Sequence, residues 1–196
     1  MTGNTLVQHA PLHLAVIVGS TRAGRFGPTV ANWFVSQAEQ RDGMTIDLID
    51  LVDAQLPFVL SSTPGPPVAG MSARLAAADA FVIVTPEYNH SFPAALKNAI
   101  DWHFVEWRAK PIGCVSSGGA SGGLRAVEQL RQVFAELHAV TIRDGVSFAD
   151  IWRSFDANGA LAASGAAREA AARMLVQLRW WARTLRDARA ASPYGL

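Results

Sequence analysis

Apolar and polar positions alternate along this chain in blocks of two periods. Residues 12–19 form an almost continuous apolar run, the pattern of a parallel strand covered on both faces. Residues 28–41 carry Val30, Trp33, Phe34 and Gln37 at spacings of three and four, which predicts a helix. In MTIDLIDL (44–51), Ile46, Leu48 and Asp50 alternate with their neighbours, and a second strand is expected. The Pro/Gly/Ser-rich stretch 56–70 reads as a long surface loop, followed by a short helix over 71–78. AFVIV (80–84) reads as a third buried strand, and Pro93 marks the first turn of a helix running to Trp107. PIGCVSS (111–117) is the fourth strand, LRAVEQLRQVFAELH (124–138) a helix, and AVTIRDGVSF (139–148) the fifth strand. An irregular segment, 149–164, precedes a last helix over 165–189.

Strand and helix alternate throughout, so the expected class is α/β, with a parallel sheet and helices on both faces. No repeat or composition break divides the chain, and one domain over 1–196 is expected, with 1–11 as a flexible N-terminus. In such open sheets ligands sit beyond the carboxyl ends of the strands, near the switch in strand order. That rule selects three loops: 19–27, 85–93 and 116–123.

Composition narrows the partners. The chain has 196 residues, 50% hydrophobic and 17% charged, with a formal net charge of +1. Nothing in that balance calls for nucleic acid, and the arginines between Arg168 and Arg189 read as the solvated face of a helix. The single cysteine, Cys114, lies in an apolar run and reads as a core residue. The N-terminal residues show no secretory pattern, and no apolar run approaches the roughly 20 residues of a membrane helix. A soluble, cytoplasmic protein without membrane or nucleic-acid partners is expected.

The three loops hold the densest polar chemistry. In GSTRAGRFG (19–27), Gly19 permits a tight turn, and Ser20 and Thr21 offer hydroxyls. Arg22 and Arg25 add forked donors, and the N-terminus of a helix opens near Gly27 and Pro28. The loop matches neither a Walker motif nor GxGxxG, and its compactness suits one phosphate. In TPEYNHSFPAALKNAIDW (85–102), Pro86 shapes the exit from the strand, Tyr88 supplies a flat face, and Asn89 can address the edge of a heterocycle. Glu87 also reads as a plain loop carboxylate, His90 as a loop residue, and Lys97 with Asp101 as a structural ion pair one turn apart. SSGGASGG (116–123) lets a backbone lie against a planar ligand. One phosphate pocket beside two loops suited to a planar ring describes a mononucleotide site, and FMN fits best; a purine nucleotide is the alternative.

GSTRAGR, TPEYNHSFPAALKNAIDW and SSGGASGGLRAVEQLR together resemble the NADPH-dependent FMN reductase family over residues 12–148. The resemblance implies a flavodoxin-like three-layer fold, with a five-stranded parallel sheet in the order 2-1-3-4-5. It implies FMN phosphate held by Ser20, Arg22 and Arg25 with the backbone near Gly27. It places Pro86, Glu87, Tyr88 and Asn89 along the ribityl chain and ring, and Ser117, Gly118 and Gly119 beside the ring. Many members carry serine where this chain has Arg25, and asparagine where it has Gly27. The implied reaction passes hydride from NADPH, with NADH as the alternative donor, through flavin N5 to free FMN, quinones or similar small-molecule acceptors. No catalytic acid or base is nominated; His90 is the one proton source considered for a quinone product.

Members usually form homodimers or homotetramers. The helix after Pro93 adds a reason of its own: Leu96, Ile100, Phe104 and Trp107 make one apolar stripe, and Ala95, Ala99 and Trp102 a second that wants another surface. Trp152 and Phe155 are expected near the site or an interface, without a choice between them. Two rival readings stand beside the enzyme, an FMN-binding electron carrier and a non-catalytic flavin sensor. Near-neutral charge and Arg22 in the phosphate loop speak against a carrier, and turnover with NADPH separates the enzyme from both.

Overall fold

Three successive apolar runs, each long enough for one strand and too short for a helix, build the centre of the molecule. The computed structural model describes residues 10–156, 158–162 and 165–195, so most of the expected flexible N-terminus lies outside the described residues. The strands are β1 (Leu12–Val18), β2 (Met44–Asp50), β3 (Ala80–Pro86), β4 (Pro111–Ser117), β5 (Val140–Thr141) and β6 (Val146–Phe148). Their order is β2-β1-β3-β4-β5, all pairings parallel, with β6 also paired to β4. The order reverses at β1, whose neighbours are β2 and β3, so the switch point lies at the carboxyl ends of β1 and β3.

Side chains alternate across each strand and fill two cores. Leu14, Val16 and Val18 of β1, with Ala80, Val82 and Val84 of β3, pack under α1 (Gly27–Glu39) and the last helix, Gly165–Ala191. Ala15, Ile17, Phe81 and Ile83 pack on the other face. That face is covered by helices Pro66–Ala77, Ala94–Asp101 and Leu124–Glu136, here α3, α4 and α5 after the single turn α2 (Leu51–Ala54); Gly165–Ala191 is α6.

Four elements depart from the hydrophobic pattern. The short helix expected over 71–78 is α3, which begins at Pro66 inside the stretch read as loop. Proline is tolerated in a first turn, and Val68, Met71 and Leu75 supply the buried face. The strand expected to reach residue 51 stops at Asp50, whose Oδ1 accepts from Val52 N (3.1 Å) and caps α2. The helix expected to run to Trp107 ends at Asp101 and resumes as a 3₁₀ turn, Val105–Trp107. His103 folds inward at the break, with Nδ1 2.7 Å from Ala99 O. Trp107 therefore packs between Phe81 and Phe134, while Phe104 stays exposed. The second stripe is largely covered by the chain itself: Ala99 lies in the core, and the Trp102 indole donates to Pro57 O (2.8 Å).

The fifth strand is two short pieces, β5 and β6, because residues 142–145 leave the ladder. Arg131 donates to Ile142 O (2.8 Å) and Arg143 O (3.1 Å), which supplies partners for carbonyls that the interruption frees.

Candidate cofactor site

The three loops at the carboxyl edge are built in different ways. Past β1, Gly19 N donates to Val84 O (2.9 Å), so the chain stays in register one residue beyond the strand. Ser20 is fully buried, and its Oγ has no hydrogen-bond partner. α1 is pressed against it: a Cβ on Gly27 would lie 2.7 Å from Ser20 Oγ and 2.8 Å from Val18 Cγ1. The helix starts with no side-chain cap and with a proline in its first turn, so its leading N–H groups face the same loop. Buried hydroxyls are almost always paired, so an orphaned one beside an uncapped helix start marks a place prepared for an anion.

The two arginines of this loop differ. Arg25 donates through Nη2 to Asp50 Oδ2, both side chains largely buried, so its charge is already balanced by the end of β2. Arg22 is exposed, with its guanidinium carbon 5.7 Å from the centre of the Tyr88 ring. The counter-ion role of Asp50 was not foreseen; only the parallel pairing of β2 with β1 brings it under Arg25.

After β3, Tyr88 and Ser91 exchange backbone hydrogen bonds of 2.8 and 2.9 Å around a two-residue turn. Asn89 and His90 sit there at φ of 49° and 67°, the left-handed conformation that asparagine tolerates better than most residues. Glu87 is no exposed loop carboxylate: its side chain is 7% exposed and lies 2.7 Å from Arg125 Nε. Ser121 Oγ (2.9 Å) and Arg125 N (3.2 Å) also donate to Glu87 Oε2. Burial opposes the Glu87 charge, but the Ser121 hydroxyl and the Arg125 charge and hydrogen bonds outweigh it and hold the carboxyl below its ordinary range. Arg125 Nη1 donates to His90 Nε2, so that nitrogen acts as an acceptor. The imidazole thereby serves to position the turn.

After β4, Gly118 N donates to Phe148 O (3.1 Å), and Glu87 N to Ser117 O (2.8 Å). The glycines of this loop divide by role. Gly123 stands at φ 84°, and a Cβ there would come within 2.8 Å of Ser117 N and O, so it serves the loop's own folding. Gly119 instead packs beside Trp152, whose Cη2 would lie in ordinary contact, at 3.8 Å, with a Cβ placed there.

These loops enclose a cleft of about 210 Å³. Arg22, Arg25 and Gly27 line one end; Pro86, Glu87 and Tyr88 one flank; and Ser117, Gly118 and Gly119 another. Ser20 and Asn89 are not among the lining residues: Ser20 lies against Gly27, and Asn89 forms the turn. Phe26, Ile151 and Trp152 complete the wall. Trp152, placed from sequence either at the site or at an interface, lies at the site. Its position just past the last strand, at the carboxyl edge, was the available signal. Cys114 is buried, and burial pushes its thiol up to about 12, far from thiolate chemistry.

A family described as NADPH-dependent FMN reductase matches residues 12–153. An NAD(P)H-dependent FMN reductase of Pseudomonas aeruginosa is 33% identical over 181 residues, covering 87% of this chain and 95% of that protein. One from Schizosaccharomyces pombe is 37% identical over 131 residues, covering 61% of this chain and 64% of its own length. An NAD(P)H:quinone oxidoreductase of Solanum tuberosum is 34% identical, covering 66% and 71%. Among solved structures, the flavoenzyme NAD(P)H:(acceptor) oxidoreductase FerB of Paracoccus denitrificans aligns at a TM-score of 0.73 with 22% identity, over 88% of this chain and 98% of that one. A short-chain flavodoxin aligns at 0.57 with 16% identity, over 89% and 99%, and carries the same fold.

Proposed function

The chain belongs to the NADPH-dependent FMN reductase family, and from that premise we propose that it binds FMN in this cleft and uses NADPH, or NADH, to reduce free FMN, quinones or similar small acceptors. The observation that carries the reading is convergence: three loops far apart in sequence meet at the switch point around one cleft, with the orphaned, fully buried Ser20 hydroxyl behind its Gly27 end.

The donor set fits FMN. A phosphate monoester needs hydroxyl, N–H and one uncompensated positive charge, and Ser20, the uncapped start of α1 near Gly27, and Arg22 supply them. Arg25, balanced by Asp50, shapes that end rather than adding net charge. Pro86, Glu87 and Tyr88 flank the ribityl chain and ring, with Asn89 shaping the turn behind them and the Glu87 carboxylate bracing the loop through Ser121 and Arg125. Ser117, Gly118 and Gly119 lie beside the ring. When bound, FMN supplies the electron-pair chemistry, and the protein supplies placement and electrostatics. No side chain needs to act as acid or base; His90 Nε2 is engaged by Arg125.

The same reading includes a homodimer. Phe58, Val59 and Leu60 are exposed, and Pro57 ties their loop to the end of α4, near exposed Phe104 and Val105. No helix among the described residues is long and apolar enough to cross a membrane, and a single buried thiol suits a reducing cytoplasm. The deciding experiment mixes FMN-loaded protein anaerobically with NADPH and follows the oxidised-flavin absorption. Bleaching that recovers on adding a quinone is expected. Tight FMN binding with no bleaching by either nicotinamide would leave an electron carrier, the reading that the shared flavodoxin fold also accommodates.

A further inference from the structure

Trp152 lies outside the three loop motifs, yet it lines the cleft they form. It sits in the 3₁₀ turn Ile151–Arg153, just past β6. Phe148, Ile151 and Phe155 are buried in the core under α1 and α6, and the tight turn rotates the next position, Trp152, outward. Trp152 is 59% exposed, although the residue before it, Ile151, lies in the core.

The turn is tied to the glycine loop. Asp150 N donates to Gly119 O (3.1 Å), Ile151 N to Gly118 O (3.3 Å), and Arg153 N closes on Asp150 O (2.8 Å). Asp150 enters the turn at φ 46°, an unfavourable conformation for a non-glycine residue and one that tends to be kept where a ligand is clamped. The indole thus lies against Gly119, close enough that a Cβ there would touch its Cη2 at 3.8 Å, and keeps its outer surface exposed to the cleft. It shares the cleft with Tyr88, whose own ring lies beneath Arg22.

Resting on the FMN reading, we infer that Trp152 is a specificity-determining wall of the cleft: its indole stacks on the bound flavin, so the β6 turn as well as the three motif loops sets how tightly FMN is held. An exposed aromatic face carried on a tied backbone turn gains a stacking partner at modest entropic cost, since only two side-chain torsions are left to order.

The test titrates FMN into flavin-stripped protein, following flavin fluorescence and the dissociation constant, for the wild type, Trp152→Phe and Trp152→Leu. A stacked indole quenches flavin emission by donating an electron to the excited ring, which a phenyl ring does not do; a leucine fills space without stacking. Trp152→Leu is expected to weaken FMN binding by about tenfold and to leave the bound flavin brighter, with Trp152→Phe close to the wild type in affinity though likewise brighter. If the leucine and phenylalanine variants match each other in affinity, the stacking role is overturned. If the wild type itself binds no FMN, the functional reading fails before this one is reached. Unfolding temperatures of the stripped proteins provide the control: a loss of affinity that simply follows a loss of stability in Trp152→Leu counts against stacking.

Discussion

The two ends of the sheet carry comparable amounts of charge and use it in opposite ways. At the amino edge the buried charges, Asp79 and Lys110, are answered. Asp79 accepts from His13 N (3.0 Å) and Arg186 Nη1 (3.3 Å), with Arg189 Nη2 at 3.6 Å. Arg186 also donates to Ala10 O and Pro11 O, and Arg189 to Ala109 O. Lys110 donates through Nζ to Leu75 O (2.8 Å) and Ala76 O (2.9 Å), closing the end of α3. Burial pulls its ammonium down to about 8, helped by Arg189 and opposed by Asp79 and Glu106. At the carboxyl edge the accounts stay open: Ser20 Oγ is unpaired, α1 is uncapped, Arg22 is unpaired by any carboxylate among the described residues, and Trp152 is exposed. A buried hydroxyl left unpaired beside an uncapped helix start is one that a ligand can complete. Incompleteness, more than charge, marks the site.

The sharpest way to break this comparison is to remove Asp79. Asp79→Ala strands Arg186 and Arg189 in a mostly buried place, and a loss of about 3 kcal/mol is expected in urea unfolding. FMN affinity of the folded fraction should not change. A near-neutral result would mean that the amino edge is as incomplete as the carboxyl edge.

Glu87 tests the border between the two behaviours, since it is fully answered yet lies in the cleft. Glu87→Gln should cost about 2 kcal/mol through the charged hydrogen bonds to Ser121 and Arg125, and should also weaken FMN binding. The native carboxyl lies below its unfolded value, so its stabilisation is complete above an unfolded pKa of about 4.3 and disappears as pH falls through the folded value. Unfolding followed from pH 6 down to acid should therefore lose this contribution in the wild type alone.

Ser20 provides the opposite sign. Deleting an orphaned buried hydroxyl removes no hydrogen bond, so Ser20→Ala should leave the flavin-free protein unchanged or about 1 kcal/mol more stable. FMN binding should weaken by about tenfold. A destabilised Ser20→Ala protein would show that the hydroxyl serves the fold. The smallest effect is expected at Lys97, paired with Asp101 at 2.7 Å but exposed on α4. Lys97→Ala should cost no more than about 0.5 kcal/mol, although it stands within the most recognisable motif of the chain.

The alternation of periods made the layers legible, because continuous apolar strands need cover on both faces and amphipathic helices provide it. The three loops were legible for the same reason: a parallel order sends every strand end to one edge. The roles within those loops were less so. Arg22 and Arg25 look equivalent along the chain, yet only Arg25 meets Asp50. Glu87 reads as a loop carboxylate, yet α5 brings Arg125 to it. The helix after Pro93 reads too long along the chain because Phe104 and Trp107 keep the apolar period past its end at Asp101.

By itself the sequence determined the class of fold, the edge where a ligand sits and the residue types offered there, since these follow from local periodicity and from the rule that parallel strands end together. Only the tertiary structure decided which of those groups are already spent on one another. Pairing depends on distances between segments many residues apart, and no local pattern encodes them: Arg25 spends its charge on a neighbouring strand, Glu87 on a distant helix, and Ser20 on nothing within the described protein.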